Sequence, residues 1–258
     1  MHLSVGPAGR VLAGERTGQR APCRSLTSAV RQSSVGTVTA PVSCPRCGQL
    51  VRPPGLWSDA WTCAEHGAIA PVHAPVMPSD PALSQIARRS QVPLWLPWPL
   101  PRGWLVSGVQ YAGDDHSGPV ATALALSGPN PLVIEVGDAL SADLVVVAEQ
   151  PGVGFAARLA GLPGLDPGPT LAAHPSDAHL EAAGHATPMW SFAIGPEDPG
   201  DARAGVAYVG EALGEWLWVI TWPRPATAVL LDHFTLVDLR DPHHVYDLPY
   251  GALSPRLD

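Results

Sequence analysis

Beyond Gly103 the apolar residues fall in alternation, the period of a strand with one face turned inward. Over residues 120–126, Val120, Thr122, Leu124 and Leu126 share one face while Ala121, Ala123 and Ala125 take the other. That predicts a strand covered on both sides, with a helix or loop pressed close over the alanines. Residues 144–148 form an unbroken apolar strand, and Trp190, Phe192 and Ile194 alternate with Ser191 and Ala193. Across 215–222, Trp216, Trp218, Ile220 and Trp222 line one face and Leu217, Val219 and Thr221 the other. Pro223 and Pro225 then turn the chain, and 229–239 reads as the returning strand. Helical spacing is brief, at 154–160 and 177–183. Strands outnumber helices and short turns join them, so residues 103–258 are expected to form an α+β domain with a mainly antiparallel, twisted sheet.

The first hundred residues read differently. Residues 1–40 are rich in Gly, Ser, Arg, Thr and Ala with isolated apolar positions, too few to offset the entropy of ordering, and are expected to be a disordered basic tail. A translation start nearer Val35 accounts for the same composition. Residues 41–72 carry two short cysteine or histidine pairs separated by turn residues. Residues 73–102 connect: Asp80-Pro81 signals a helix start, with Leu83, Ile86 and Ala87 on one face and an end by Ser90. The strap that follows, Val92-Pro93-Leu94-Trp95-Leu96-Pro97-Trp98-Pro99-Leu100-Pro101, is forced by its prolines into extended geometry and is expected to lie across the protein's own core.

Composition changes this picture in three places. Thirty prolines and 26 glycines explain why the elements are short. No apolar run approaches a membrane span, so no membrane partner is expected. Residues 1–34 hold five Arg against Glu15, a net of +4, which leaves ten Arg against 22 acids, a net of −12, for the rest of a chain whose total is −8. A body that acidic disfavours nucleic-acid backbone as a partner. Four cysteines, three of them in one motif, point to a reducing, cytoplasmic setting rather than a disulfide framework, with Cys23 left over.

The motif is the one stretch that states its chemistry. Cys44-Pro45-Arg46-Cys47 is followed after fifteen residues by Cys63-Ala64-Glu65-His66, and Gly48 and Gly67 close the two pairs where a left-handed turn suits glycine. Each pair forms a knuckle that turns two side chains toward one ion, so Cys44, Cys47, Cys63 and His66 are expected to hold a structural Zn2+ in a zinc ribbon over 41–72. So small a module has little core, and the metal supplies much of its folding energy. Its own charges cancel, Arg46 and Arg52 against Asp59 and Glu65.

Other groups carry weaker signals. Residues 145–157 pass from strand through Gly152-Val153-Gly154 to helix, the order of a dinucleotide fingerprint, but Glu149-Gln150-Pro151 intervenes and no strand-end acid follows. A turn with a glycine-started helix is the expected form. Asp114-Asp115-His116 reads as a polar hairpin tip, and Asp241, His243, His244 and Asp247 as solvated loop residues. His174, His179 and His185 fit no metal spacing. The Trp216, Trp218 and Trp222 face offers a platform for a planar ligand, or more simply the core beneath a sheet.

With these residues assembled, the chain resembles an uncharacterised actinobacterial family of zinc-ribbon proteins with a C-terminal domain of unknown function. The likeness runs through 43–48, 61–67, 92–104, 113–115, 152–154, 211–218, 236–241 and 251–257, so that it covers most of 43–258. It implies a soluble protein and transfers no activity and no catalytic residues. The expected function is that of a non-catalytic cytoplasmic zinc-ribbon protein acting through contacts with another protein. An enzyme or small-molecule binder is the alternative, with Asp115, His116 and His233 meeting in the fold, and a nucleic-acid-associated factor is the third.

Removal of residues 1–34 is expected to leave melting temperature and metal content unchanged. A drop of several degrees in a thermal scan would show that part of this stretch is docked on the core.

Overall fold

The computed structural model describes residues 41–56, 58–114, 116–132, 140–164, 166–198, 201–231, 235–241 and 246–257. The expectations for 1–40 with Cys23, and for Asp115, His233, His243 and His244, fall outside those residues. Residues 39–258 make one contact unit, so the stretches 41–72, 73–102 and 103–258 are all described within it.

Alternation becomes sheet. Two residues each form β1 (Thr62–Cys63) and β2 (Gly67–Ala68), a separate small antiparallel pair. The main sheet contains β3 (Trp95–Trp98), β4 (Leu105–Asp114), β5 (Gly118–Pro129), β6 (Ser141–Glu149), β7 (Ala178–Ala182), β8 (His185–Ile194), β9 (Gly205–Ala212), β10 (Glu215–Trp222) and β11 (Thr235–Asp238). Its order is β3-β11-β7-β8-β9-β10-β6-β5-β4, antiparallel throughout except where β11 meets β7. Helices are few and short: α1 (Asp80–Arg89), α2 (Phe155–Leu159) and α3 (Pro167–Ala173), with 3₁₀ turns at Arg224–Leu231 and Pro255–Leu257. The protein is therefore mostly sheet with a few short helices.

The period of two separates the side chains into two cores. Leu124, Leu126, Leu144, Val146, Leu217 and Val219 face one side, where the strap's Leu94, Trp95 and Leu96 and the α1 residues Leu83, Ile86 and Ala87 join them. β3 at one end of the sheet also touches β5 and β6 near the other, so the sheet curls and this core lies inside the curl. Polar ties fix the closure: Thr122 Oγ1 donates to the Pro93 carbonyl at 2.6 Å, and Asp238 Oδ1 accepts from Leu94 N–H at 3.2 Å. On the opposite face Ala121, Ala123, Ala125, Val145, Val147, Trp218, Ile220 and Trp222 pack under Val72, α2 and Leu257. Alanine on β5 is what lets those pieces approach.

Residues 71–76 run antiparallel along β4. Val76 N–H donates to Val109 C=O at 2.8 Å, His73 N–H to Tyr111 C=O at 3.1 Å, and Gly113 N–H to Pro71 C=O at 3.0 Å. Near the C-terminus, Val106 N–H donates to Pro249 C=O and Gly251 N–H to Val106 C=O, each at 2.9 Å. The outer edge of long strand β4, whose other edge pairs with β5, is thereby covered, which removes an edge open to aggregation.

Three local readings are corrected. The helix expected at 177–183 is strand β7, because Asp177 is tied to Ser191 N–H and Oγ at 2.7 and 2.9 Å and Leu180 and Ala182 bury at strand spacing. α3 replaces it upstream, capped by Asp166 with Pro167 at its first position, the same start signal that was read at 80–81. The returning strand expected at 229–239 is shorter: Arg224–Leu231 is a 3₁₀ turn that buries Ala226 and Val229, and β11 then pairs with β3 and β7 rather than with β10. For α1 the face is as expected, but the cap is Ser79, whose Oγ accepts from Ala82 N–H. Asp80 instead accepts from Tyr250 OH.

Trp218 is fully buried between β6, β9 and α2. Trp218→Ala is expected to lower unfolding free energy in urea by about 3–5 kcal/mol, and a near-neutral result would place the indole in a yielding surface site.

Candidate metal centre

Two local turns build the centre. In the first, Cys44 N–H donates to Gln49 C=O at 2.8 Å and Gly48 N–H to Cys44 C=O at 2.9 Å, with Gly48 at φ +72°. The second is the β1–β2 hairpin, which pairs Cys63 with Gly67 (φ +69°) and turns the side chains of Cys63 and His66 the same way. The four ligand atoms converge within 4.8 Å of one another, so Cys44, Cys47, Cys63 and His66 lie close enough to hold a metal ion. Cys44 Sγ is 3.6 Å from His66 Nδ1, Cys63 Sγ is 3.7 Å from the same nitrogen, and Cys47 Sγ is 3.7 Å from Cys63 Sγ. Nδ1 is thus the ring nitrogen turned to the sulfurs, a choice that spacing alone leaves open. Cys44 and Cys63 are buried, Cys47 and His66 half-buried.

Backbone amides prepare the sulfurs. The Glu65 N–H, helped by His66, draws the Cys63 thiol down to about 6. At Cys47 the Gln49 N–H acts the same way, but burial and the adjacent Cys44 and Cys63 thiols outweigh it and push the group up to about 11. Sulfurs set this close resist ionising together, and a divalent cation at their centre relieves that repulsion.

Beside the centre opens a cleft of about 940 Å³, with Cys47 and His66 on one wall and Glu149, Arg158, Asp166 and Trp216 among the others. The register explains this meeting, because Trp216 on β10 lies directly opposite Glu149 on β6. Glu149 is buried, and its Oε2 accepts from Phe155 N–H at 2.7 Å and Ala156 N–H at 3.2 Å. α2 starts at Gly154 in the left-handed conformation with no side-chain cap of its own, so the strand carboxylate satisfies its first amides. Burial dominates those hydrogen bonds and pushes the Glu149 carboxyl up to about 7. Burial likewise pulls the Arg158 guanidinium below its ordinary value, while the Cys44 and Cys47 sulfurs act the other way. Arg46, from the first knuckle, donates to the Gly152 carbonyl, and a Cβ at Gly154 would stand 3.0 Å from the Arg46 side chain. The expected turn with a glycine-started helix is found at Gly152–Gly154, where it also seats the knuckle, and the helix is only five residues long.

The remaining candidates among the described residues do not gather. Asp114 turns its carboxylate on its own hairpin, accepting from Ser117 N–H at 2.7 Å and His116 N–H at 2.8 Å, and these bonds hold it below the usual carboxylate range. His116, His174, His179, His185, Asp241 and Asp247 are exposed. Of the tryptophan face, Trp218 and Trp222 are core and Trp216 reaches the cleft. Sequence reasoning passed over Glu149, Arg158 and Trp216 as a group. One signal was available, a charged residue closing the apolar run 144–148.

The profile of a family of unknown function, DUF6758, matches residues 38–257. Neither a curated protein nor a solved structure matches the chain.

The buried carboxyl makes stability depend on pH. Its folded value, about 7, lies above the ordinary 4.5, so the contribution is full below 4.5 and lost as pH rises through about 7. Between about pH 6 and about pH 8.5 the wild type should lose about 1–2 kcal/mol relative to Glu149→Gln, whose oxygen still accepts both α2 amides. Parallel curves for the two proteins in chemical denaturation would show that Glu149 titrates normally.

Proposed function

The chain belongs to the DUF6758 family of unknown function, and we propose that it is a non-catalytic cytoplasmic protein in which a structural zinc ion clamps residues 41–72 to the sheet and shapes the neighbouring cleft into a small-molecule site. The observation that carries this reading is the shared wall: Cys47 and His66 both belong to the four-ligand cluster and line the cleft. Ordering the ligands therefore orders one side of the cleft.

The donor set supports zinc. Tetrahedral zinc with Zn–S of about 2.3 Å and Zn–N of about 2.0–2.1 Å has S···S edges of about 3.8 Å and S···N edges of about 3.5 Å. The distances of 3.7 Å for Cys47–Cys63, and 3.6 and 3.7 Å from His66 Nδ1 to Cys44 and Cys63, fall on those edges. Three thiolates and an imidazole fill the coordination sphere and leave no position for water or substrate, which fits a structural ion. Thiol ligands also favour a reducing compartment. The pairing of residues 71–76 with β4 and the Arg46–Gly152 contact fit a module clamped to the body.

Contact with another protein is the second reading. Of the tryptophans that an interface could use, Trp95, Trp104, Trp218 and Trp222 are buried. What favours it instead is the outer side of residues 41–72, where Leu50 is 73% and Leu56 97% exposed.

Purified protein is expected to hold one zinc per chain by elemental analysis, and Cys44→Ser/Cys63→Ser to hold none. Chelation should release amide protection over 41–70 while the sheet persists. For the cleft, a mixed panel of anionic, cationic and neutral fragments should shift the Gly152, Gly154 and Gly168 amides in NMR spectra. Zinc-free protein as purified would sink the clamp, and a panel that leaves those amides unmoved would sink the small-molecule site.

A further inference from the structure

Arg158 has no carboxylate partner among the described residues, and the Cys44 and Cys47 sulfurs are the counter-charges that favour its charged form. Its Nε is buried and makes no hydrogen bond among the described residues, and its guanidinium stands 5.7 Å from the Phe155 ring centroid. The carboxylates of the same cleft are engaged elsewhere: Glu149 accepts from α2, and Asp166 Oδ1 accepts from Gly168 N–H at 3.1 Å. Arg46 brings a second guanidinium to the wall, partly spent on the Gly152 carbonyl. A half-buried guanidinium whose Nε lacks an acceptor can give a planar oxyanion two parallel N–H···O bonds.

A flat surface stands in the same cleft. Of the three β10 indoles, Trp218 and Trp222 are buried, whereas Trp216 remains half-exposed and lines the opening with Pro167. An indole left accessible in the same cleft as a guanidinium without a carboxylate partner suits a ring that carries an anionic group. Burial holds much of Glu149 uncharged near neutral pH, which limits its repulsion of that anion.

Building on the small-molecule reading of the cleft, we infer that its ligand is a small aromatic oxyanion, its phosphate or carboxylate paired with Arg158 and Arg46 and its ring laid against Trp216. The volume of about 940 Å³ leaves room for a ligand larger than a single ring system.

Isothermal titration of the zinc-loaded protein with 2-naphthyl phosphate, 2-naphthoate and neutral 2-naphthol tests this. One or both anions should bind saturably, with 2-naphthol at least ten-fold weaker by the value of a charge-assisted pair, about 10- to 100-fold. Whichever anion binds tells phosphate from carboxylate. Arg158→Gln should weaken the anion by about 10- to 100-fold and leave 2-naphthol unchanged. Because Arg158 lies near the cysteine sulfurs, zinc content is measured beside it, and Trp216→Leu provides a second variant, on β10, with zinc content measured in the same way. Trp216→Leu should weaken all three probes. Equal affinity for 2-naphthol and the anions, sensitive to Trp216→Leu, would overturn the oxyanion while leaving the cleft as a small-molecule site. Anion binding unaffected by either substitution, or no binding of any probe, would overturn the inference outright, and the fragment panel separately decides whether the cleft itself fails.

Discussion

The pairing of β6 with β10 is the constraint on which the rest depends. β4, β5 and β6 form one antiparallel run, β7 to β10 another, and among the described residues only the β6–β10 ladder joins them into one sheet. Its register, from Trp222 opposite Asp143 to Trp216 opposite Glu149, decides which side chains share a face. A slip of one residue would carry Trp218 into the core inside the curl and Leu217 out of its place there. The same register sets a carboxyl and an indole side by side at the end of the ladder, where the sheet gives way to the cleft.

Around that ladder the polar groups divide the work of satisfying one another. Buried Glu149 serves the first amides of α2, a helix that starts on a glycine and has no cap of its own. In return α2 covers the alanine face of β5 and presents Arg158 toward the cysteine turn. Arg46 closes the circuit from the other side by donating to Gly152, next to the glycine at which α2 begins. A buried carboxyl and a half-buried guanidinium on one short segment would be costly if each were isolated. Here one is held by backbone amides and half-neutralised by burial, and the other faces sulfurs and an open cleft.

The Cys/His centre gains significance from where it sits. A small knuckled module gains little from its own core, so metal and neighbours must hold it. The neighbours are visible: 71–76 along β4, Val72 in the outer core, and Arg46 on the β6–α2 turn. Loading or loss of an ion would therefore be felt at a strand edge and at a cleft wall, which links the centre to the sheet without any moving part.

Much of this was legible from residue order, for physical reasons that are local. Side-chain alternation in 120–126, 144–148 and 215–222 must produce two-faced strands whatever their partners, and the alanine side of 121–125 announced the close approach of α2. C-x2-C and C-x2-H spacings curl on themselves, so the cluster of Cys44, Cys47, Cys63 and His66 was readable as well. Where a local signal was ambiguous, long-range pairing decided: Asp177 resembled a helix start until Ser191 and β8 claimed it, and 224–231 coiled into a 3₁₀ turn while β11 crossed to β3. The cleft was invisible for a stronger reason. Arg46, Glu149, Arg158 and Trp216 come from four separate stretches, and only the β6–β10 register with the seating of the cysteine turn on Gly152 and Gly154 brings them together. Sequence alone determined the faces and the ligands; tertiary structure decided which of them meet, because the burial and charge at that meeting are sums over neighbours distant in the chain.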